Sequence, residues 1–144
     1  MMNQYGTKPQ DNTQRIVGNG KFFKDHIGPG PHIMAADTLV GNDVLNSDGE
    51  PLGEIEHIML DVPKGRIAYA VLSFGGFLGM GEKLFAIPWH ALTLDIDKKC
   101  FILDASLEKM RYAPGFDKGE WPSMADQQWA RNIHSYYSSP LYWE

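Results

Sequence analysis

Several features that would assign this chain to a particular class of protein are scarce in its sequence. The 144 residues include one cysteine, Cys100, so no intrachain disulfide can form, which suits a reducing compartment. No segment approaches the run of about 18 apolar residues that a membrane span needs, and the N-terminus has no apolar run typical of a signal peptide. We therefore expect a soluble cytoplasmic protein without a membrane span.

Positive charge is also in deficit. The chain carries 13 Lys and Arg against 18 Asp and Glu, which gives a formal net charge of -5. This balance provides no broad electrostatic attraction for nucleic acid or anionic lipid, although a local basic patch remains compatible with it. We expect no DNA partner.

Motifs that mark catalytic or cofactor sites are missing. There is no Gly-x-Ser-x-Gly elbow, and none of the five histidines forms His-Glu-x-x-His or has a cysteine at zinc spacing. His26 and His32, together with Asp25, form at most a weak chelating group. Cys100 has no orienting histidine nearby in the sequence and is interpreted as structural. The sequence thus predicts no enzyme and no cofactor.

The first 35 residues are poor in core-forming side chains and rich in Asn, Gln, Gly and Pro. Gly28-Pro29-Gly30-Pro31 is incompatible with a helix or a central strand. We interpret residues 1–35 as an extended N-terminal arm. Its strong apolar feature is the pair Phe22 and Phe23, which we expect to dock on the arm's own domain or on a partner.

Residues 36–104 have the sequence pattern of a small β-domain. Short apolar runs alternate with turn signals at hairpin spacing, and the segment has no room for crossover helices, so the sheet is expected to be mostly antiparallel. The predicted strands span residues 39–45, 52–62, 66–74, 83–87, 93–96 and 100–103.

Two of these strands are apolar on both faces. Residues 67–72 and 84–87 lack the alternation of apolar and polar side chains that marks a sheet with one wet face. The inner face is expected to fill a closed or nearly closed barrel. The outer face then needs a helix, the arm or another subunit as cover, and for this reason we expect at least a dimer.

The last segment, residues 105–144, supplies a candidate cover. A short helical turn is predicted over residues 106–111, and a longer helix over about residues 124–138 with Ser123 as its N-cap. Ala125, Trp129, Ile133 and Tyr137 fall on one stripe of that helix. We predict that it packs on the outside of the barrel, the alternative being a free recognition helix.

The glycine-rich loop over residues 75–81 does not fit a phosphate-binding loop. A strand is predicted to follow it, whereas such an anion site needs the N-terminus of a helix. The loop instead carries Phe77, Leu78 and Met80, which are expected to be exposed. Exposed apolar loop tips often contact partners, so these three residues join Phe22 and Phe23 as candidate partner-binding residues.

Four runs in the central segment resemble the PRC-barrel domain family: LVGNDV at 39–44, DGEPLGEI at 48–55, GRIAYAVLS at 65–73 and GGFLGMGEKLFAIPW at 75–89. The family is named for the cytoplasmic barrel of the photosynthetic reaction centre H subunit, and a similar barrel forms one half of a ribosome-maturation factor. The resemblance implies a mainly β, six-stranded barrel that serves as a binding or assembly module. The aromatic-rich C-terminal segment, residues 105–144, resembles the C-terminal extensions of stand-alone bacterial members of the family.

These observations favour one functional hypothesis over two others. We expect a non-catalytic protein-binding or assembly module that self-associates as a dimer or higher homo-oligomer with an unidentified protein partner. A small-ligand or RNA-contacting barrel associated with ribosomes is the alternative. An enzyme whose site is assembled from separated residues is the least favoured reading.

Overall fold

The computed structural model describes Ile33 and residues 35–75, 82–95 and 100–144. Within them the chain forms six strands: β1 (Asp43–Leu45), β2 (Pro51–Asp61), β3 (Arg66–Gly75), β4 (Glu82–Pro88), β5 (Leu92–Asp95) and β6 (Cys100–Leu103). Two α-helices follow, α1 (Leu107–Arg111) and α2 (Gln127–Tyr136). Short 3-10 turns occupy Ala36–Thr38, Val62–Lys64 and Trp89–Ala91. None of the helices described is long and apolar enough to cross a membrane.

The strands form one mixed sheet in the order β4-β3-β2-β1-β6-β5. Neighbouring strands are antiparallel except β1 and β6, which are parallel, with Val44 beside Phe101 and Leu45 beside Ile102. The predicted six-stranded, mainly β fold is confirmed, and the expectation of antiparallel pairing needs correction at this one pair.

The parallel pair follows from the connection between β4 and β5. The chain reverses direction after β1, β2, β3 and β5, but Trp89–Ala91 is a single 3-10 turn through which β4 and β5 keep the same direction. Four reversals between β1 and β6 leave those two strands pointing the same way.

The same connection requires the sheet to curl. Pro88 ends β4 at one edge and Leu92 begins β5 at the other, so a chain segment of four steps spans the two edges. Such a segment reaches at most about 14 Å, whereas the edges of a flat six-stranded sheet lie about 24 Å apart. The sheet therefore bends into a half-barrel, whose two edges are not joined by backbone pairing in the described part of the chain.

Irregularities in β2 provide the bend. The pairing of β2 with β3 shifts register between Ile55 and His57 and again between Met59 and Leu60, and such bulges kink a strand and increase its twist. Gly53 lies where β2 crosses β3 most closely. Its φ is +137°, and a Cβ there would be 2.0 Å from the Ser73 carbonyl oxygen, so only glycine fits this position.

The core lies inside the curl. Across β1, β6 and β5 the residues Val44, Phe101 and Leu94 form one fully buried row, each at most 1% exposed. Inward-facing residues of β2, β3 and β4, among them Ile55, Leu72 and Ile87, continue the buried interior.

The helices of the C-terminal extension, residues 105–144, begin with side-chain caps. Ser106 Oγ accepts the Lys109 N–H at 2.9 Å, as the predicted start of α1 requires. The cap of α2 is Asp126, not Ser123: Asp126 Oδ1 accepts the N–H groups of Gln128 and Trp129 at 2.8 and 3.3 Å. A carboxylate that accepts two N–H groups defines the start better than a single hydroxyl, and the helix begins three residues later than predicted.

The buried side of α2 also differs in part from the predicted stripe. Ile133 and Tyr137 are buried and Trp129 is half-buried, but Ala125 lies before the helix and is exposed. Ala130 and His134, which the stripe omitted, are each at most 2% exposed. The helix ends at Tyr136, and Ser138 follows in a left-handed conformation with φ of 54°.

The extension covers the outer face of β3 and β4 and contacts β2 at His57. Phe116 exchanges two backbone hydrogen bonds with Leu84, at 2.9 and 2.8 Å, and so covers the free edge of β4. Beyond it Trp121 packs on His57 of β2, and Trp129 packs on Tyr69 of β3. The prediction that this helix packs on the outside of the barrel is confirmed.

Candidate protein-binding surface

The partner-binding residues predicted from the sequence lie outside the described part of the chain. Phe22 and Phe23 lie in the predicted N-terminal arm, and Phe77, Leu78 and Met80 lie in the predicted loop that precedes β4. Their role therefore stays a prediction, and the described residues present a different candidate surface.

The titratable groups with displaced pKa values all belong to the packing of the extension. Burial raises the pKa of Tyr69, Tyr136 and Tyr137, and burial lowers the pKa of His134. Tyr136 donates a hydrogen bond to the Lys109 carbonyl at 2.5 Å, which ties α2 to α1. These shifts follow from aromatic packing between the barrel and the extension.

The described residues contain no group of three or more His, Cys, Asp and Glu side chains arranged to hold a metal ion. Cys100 is buried at the start of β6. His57 is exposed and stacks edge-on against Trp121 with ring centroids 5.3 Å apart. The burial of Cys100 agrees with its interpretation as a structural residue, and His57 takes part in aromatic packing.

Within the described part of the chain, the outer surface of the half-barrel is divided into a covered and an uncovered part. The extension covers β3 and β4 and contacts β2 at His57, while the outer side of β1, β6 and β5 carries the row Leu45, Ile102 and Thr93, which face one another in register. All three are half-buried, in contrast to the fully buried row on the inner side of the same strands. We call this outer side the open face.

The open face contains a shallow cleft of about 470 Å³. The half-buried Ala91 and Ile102 supply its apolar centre and the exposed Ser47 and Asp104 its polar rim, and Asp95 is a further carboxylate in the lining. The full lining comprises Ser47, Ala91, Thr93, Leu94, Asp95, Ile102 and Asp104. An apolar centre inside a polar rim is the usual anatomy of a protein–protein interface.

A second exposed apolar feature lies where β2 turns into β3. Leu60 is 58% exposed and Val62 74% exposed, and Lys64 follows in the same turn. We call residues 60–64 the hairpin tip. Sequence reasoning placed residues 52–62 in one strand and missed this feature, because the alternation of side chains does not show which apolar residues at the end of a strand stay uncovered.

Comparison with known proteins identifies the barrel. A family model described as the PRC-barrel domain matches residues 31–110. Among solved structures the chain is similar to one described as a 16S ribosomal RNA processing protein, RimM, from Pseudomonas aeruginosa, with 19% identity and a TM-score of 0.34. That match covers 52% of this chain and 45% of the other, so the chain spans less than half the length of the solved protein. No curated protein matches the sequence.

Proposed function

The chain belongs to the PRC-barrel domain family, and we propose that it is a non-catalytic protein-binding and assembly module. In this proposal the protein acts in the cytoplasm, uses no cofactor and catalyses no reaction. The open face is its binding surface, and a second copy of the chain is one of its partners.

The observation that carries the proposal is the unequal cover of the two halves of the barrel. The chain's own extension buries the outer side of β3 and β4, where Val71 is fully buried and Ala86 is 1% exposed. On the open face the corresponding row, with Leu45 and Ile102, stays half-buried. A row of apolar side chains inside a polar rim is suited to burial by a partner.

The alternative, a barrel that contacts RNA or a small ligand, fits this surface less well. The carboxylates of Asp95 and Asp104 in the lining of the cleft, with a net charge of -5 on the chain, would repel a phosphate backbone. Small-ligand pockets bury most of the ligand, and the cleft is shallow and open to solvent. Protein binding is therefore the better-supported function.

Affinity capture of the full chain from its own cells, with and without nuclease, tests the proposal. The wild type is compared with Asp104→Lys, which reverses a rim charge on the open face, and with Glu120→Lys, which makes the same change at an exposed site in the extension. We expect proteins that survive nuclease, are depleted with Asp104→Lys and are retained with Glu120→Lys. Recovery that depends on RNA would favour the alternative, and equal recovery with all three chains would exclude the open face.

A further inference from the structure

We infer that the hairpin tip of one copy of the chain binds the open face of a second copy. The inference rests on the proposed function and names the two surfaces through which the module associates with itself. Each copy carries one tip and one open face, so two such contacts can close a dimer.

The hairpin tip is a rigid apolar projection. Val62, 74% exposed, is the most exposed large apolar side chain in the described residues, and Leu60 lies beside it at 58%. The base of the tip is fixed because Arg66 Nε donates to Asp61 Oδ2 at 2.8 Å. Gly65, with φ of +65°, closes the turn by accepting a left-handed conformation. A preformed projection loses little conformational entropy on binding.

The open face offers the matching concave surface. Its cleft of about 470 Å³ has Ala91 and Ile102 at the centre. The two exposed apolar side chains of the tip, Leu60 and Val62, have the chemistry that would cover these residues. Contact of this kind removes apolar area from water on both partners.

Charge complements the apolar fit. Asp61 of the tip is already paired with Arg66, whereas Lys64 forms no ion pair among the described residues. Asp104 lies exposed at the rim of the cleft. An ammonium group at the tip therefore meets a carboxylate at the rim, and charges at an interface rim favour one register over others.

The contact must form between copies. Within one chain Leu60 and Val62 remain more than half exposed, so the tip does not lie on its own open face. Nothing in the extension covers the tip either, although Arg66 at its base lies 5.2 Å from the centre of the Tyr142 ring.

Sedimentation velocity of the full chain over a concentration series tests the inference. We expect a reversible dimer for the wild type and at least tenfold weaker association for Val62→Glu, which places a carboxylate against an apolar centre and an acidic rim. Tyr112→Glu is the matched control, since Tyr112 is 73% exposed on a different part of the surface. It should associate like the wild type.

Charge reversal makes the test specific for the two surfaces. Lys64→Glu and Asp104→Lys should each weaken association by about two- to fivefold, as expected for an exposed ion pair. The two changes combined in one chain should restore association, because the new carboxylate at the tip of one copy then meets the new ammonium group at the cleft rim of the other copy. A dimer that is unaffected by Val62→Glu would overturn the tip contact while leaving self-association intact. A wild type that is monomeric throughout, yet still retains a protein partner sensitive to Asp104→Lys, would overturn the inference and the self-association part of the proposed function, and would leave the binding of another protein at the open face standing.

Discussion

The ring of Tyr69 on β3 lies 5.4 Å, centroid to centroid, from the ring of His134 on α2. Both side chains are 1% exposed. Neither the Tyr69 hydroxyl nor His134 Nε2 has a hydrogen-bond partner within the described residues. His134 Nδ1 lies 2.7 Å from the Ala130 carbonyl oxygen, which can only accept a hydrogen bond. In the neutral ring Nδ1 therefore carries the proton and Nε2 is unprotonated. The extension is thus held on the barrel by a neutral histidine inside an aromatic cluster.

Acid is predicted to weaken this contact. Burial lowers the pKa of His134, the hydrogen bond to Ala130 opposes that shift, and the charge of His90 adds to it. The other groups near the ring are Tyr69 and the tail residues Tyr142 and Trp143, and they offer no carboxylate. Arg66 lies over the ring of Tyr142 and Arg131 over the ring of Trp143, so positive charges border the cluster.

The sign of the pH dependence follows from the lowered pKa. In the unfolded chain the histidine binds a proton near pH 6.5, so the unfolded state gains protons first as the pH falls. Stability should be constant above about pH 7 and decline below about pH 6.5, by at most about 1.4 kcal/mol per pH unit for one group. Thermal melts between pH 5 and 8 measure it. The His134→Phe variant should lack the part of the stability loss at low pH that comes from His134. The His90→Gln variant, changed at an exposed site, should keep most of that loss.

Trp129 should contribute measurably to stability. It is half-buried and packs edge-on against Tyr69 with ring centroids 5.5 Å apart. Because the burial is partial, Trp129→Ala should cost less than the about 3–5 kcal/mol of a fully buried tryptophan, and we expect about 2–3 kcal/mol. The side chain of Gln128, on the exposed side of α2, donates a hydrogen bond to Asn132 Oδ1 of the same helix at 3.1 Å and makes no contact with the barrel that the described residues show. Gln128→Ala should leave the melting temperature nearly unchanged, and an equal effect of both variants would contradict the packing of α2 on the barrel.

The sequence predicted the six strands and the covering helix because each rests on local patterns that the final packing preserves. The parallel pair of β1 and β6 was missed because it depends on whether Trp89–Ala91 reverses the direction of the chain. Those three residues do not indicate whether the chain reverses or continues. His134 was missed as a buried residue because its burial depends on Tyr69, which is distant in the sequence. The open face was missed for a related reason. The exposure of Ile102 depends on which strands the extension covers, and the sequence of β6 does not show this.

The start of α2 provides a test of the capping assignment. Asp126 accepts two backbone N–H groups, and the Ser123 carbonyl accepts only the Asp126 N–H at 3.2 Å. Asp126→Ala should therefore cost about 0.5–2 kcal/mol, the usual range for the loss of an N-cap. Ser123→Ala keeps the backbone carbonyl and should have little effect. Chemical denaturation measures both, and a larger loss for Ser123→Ala would restore the cap predicted from the sequence.

The cover over the edge of β4 depends on Gly115. A Cβ at this position would lie 2.7 Å from Phe85 Cε2 and 3.0 Å from the Leu84 carbonyl oxygen. The Phe85 ring is 5% exposed and has little room to move, so the added methyl group should push Phe116 away from its two hydrogen bonds with Leu84. Overpacking of this kind costs about 1–3 kcal/mol. Gly119→Ala is the matched control, because a Cβ at Gly119 meets nothing within 4 Å.

The two alanine variants should also differ in how they change the molecule. Loss of the Phe116 pairing exposes the backbone of β4, and an exposed strand edge is a template for pairing with another chain. Gly115→Ala should therefore lower the melting temperature and also lose amide protection at Leu84 in hydrogen exchange, while Gly119→Ala changes neither. If Gly115→Ala lost stability but kept protection at Leu84, the strain would lie at Phe85 alone, and the segment around Phe116 would not be what covers the edge.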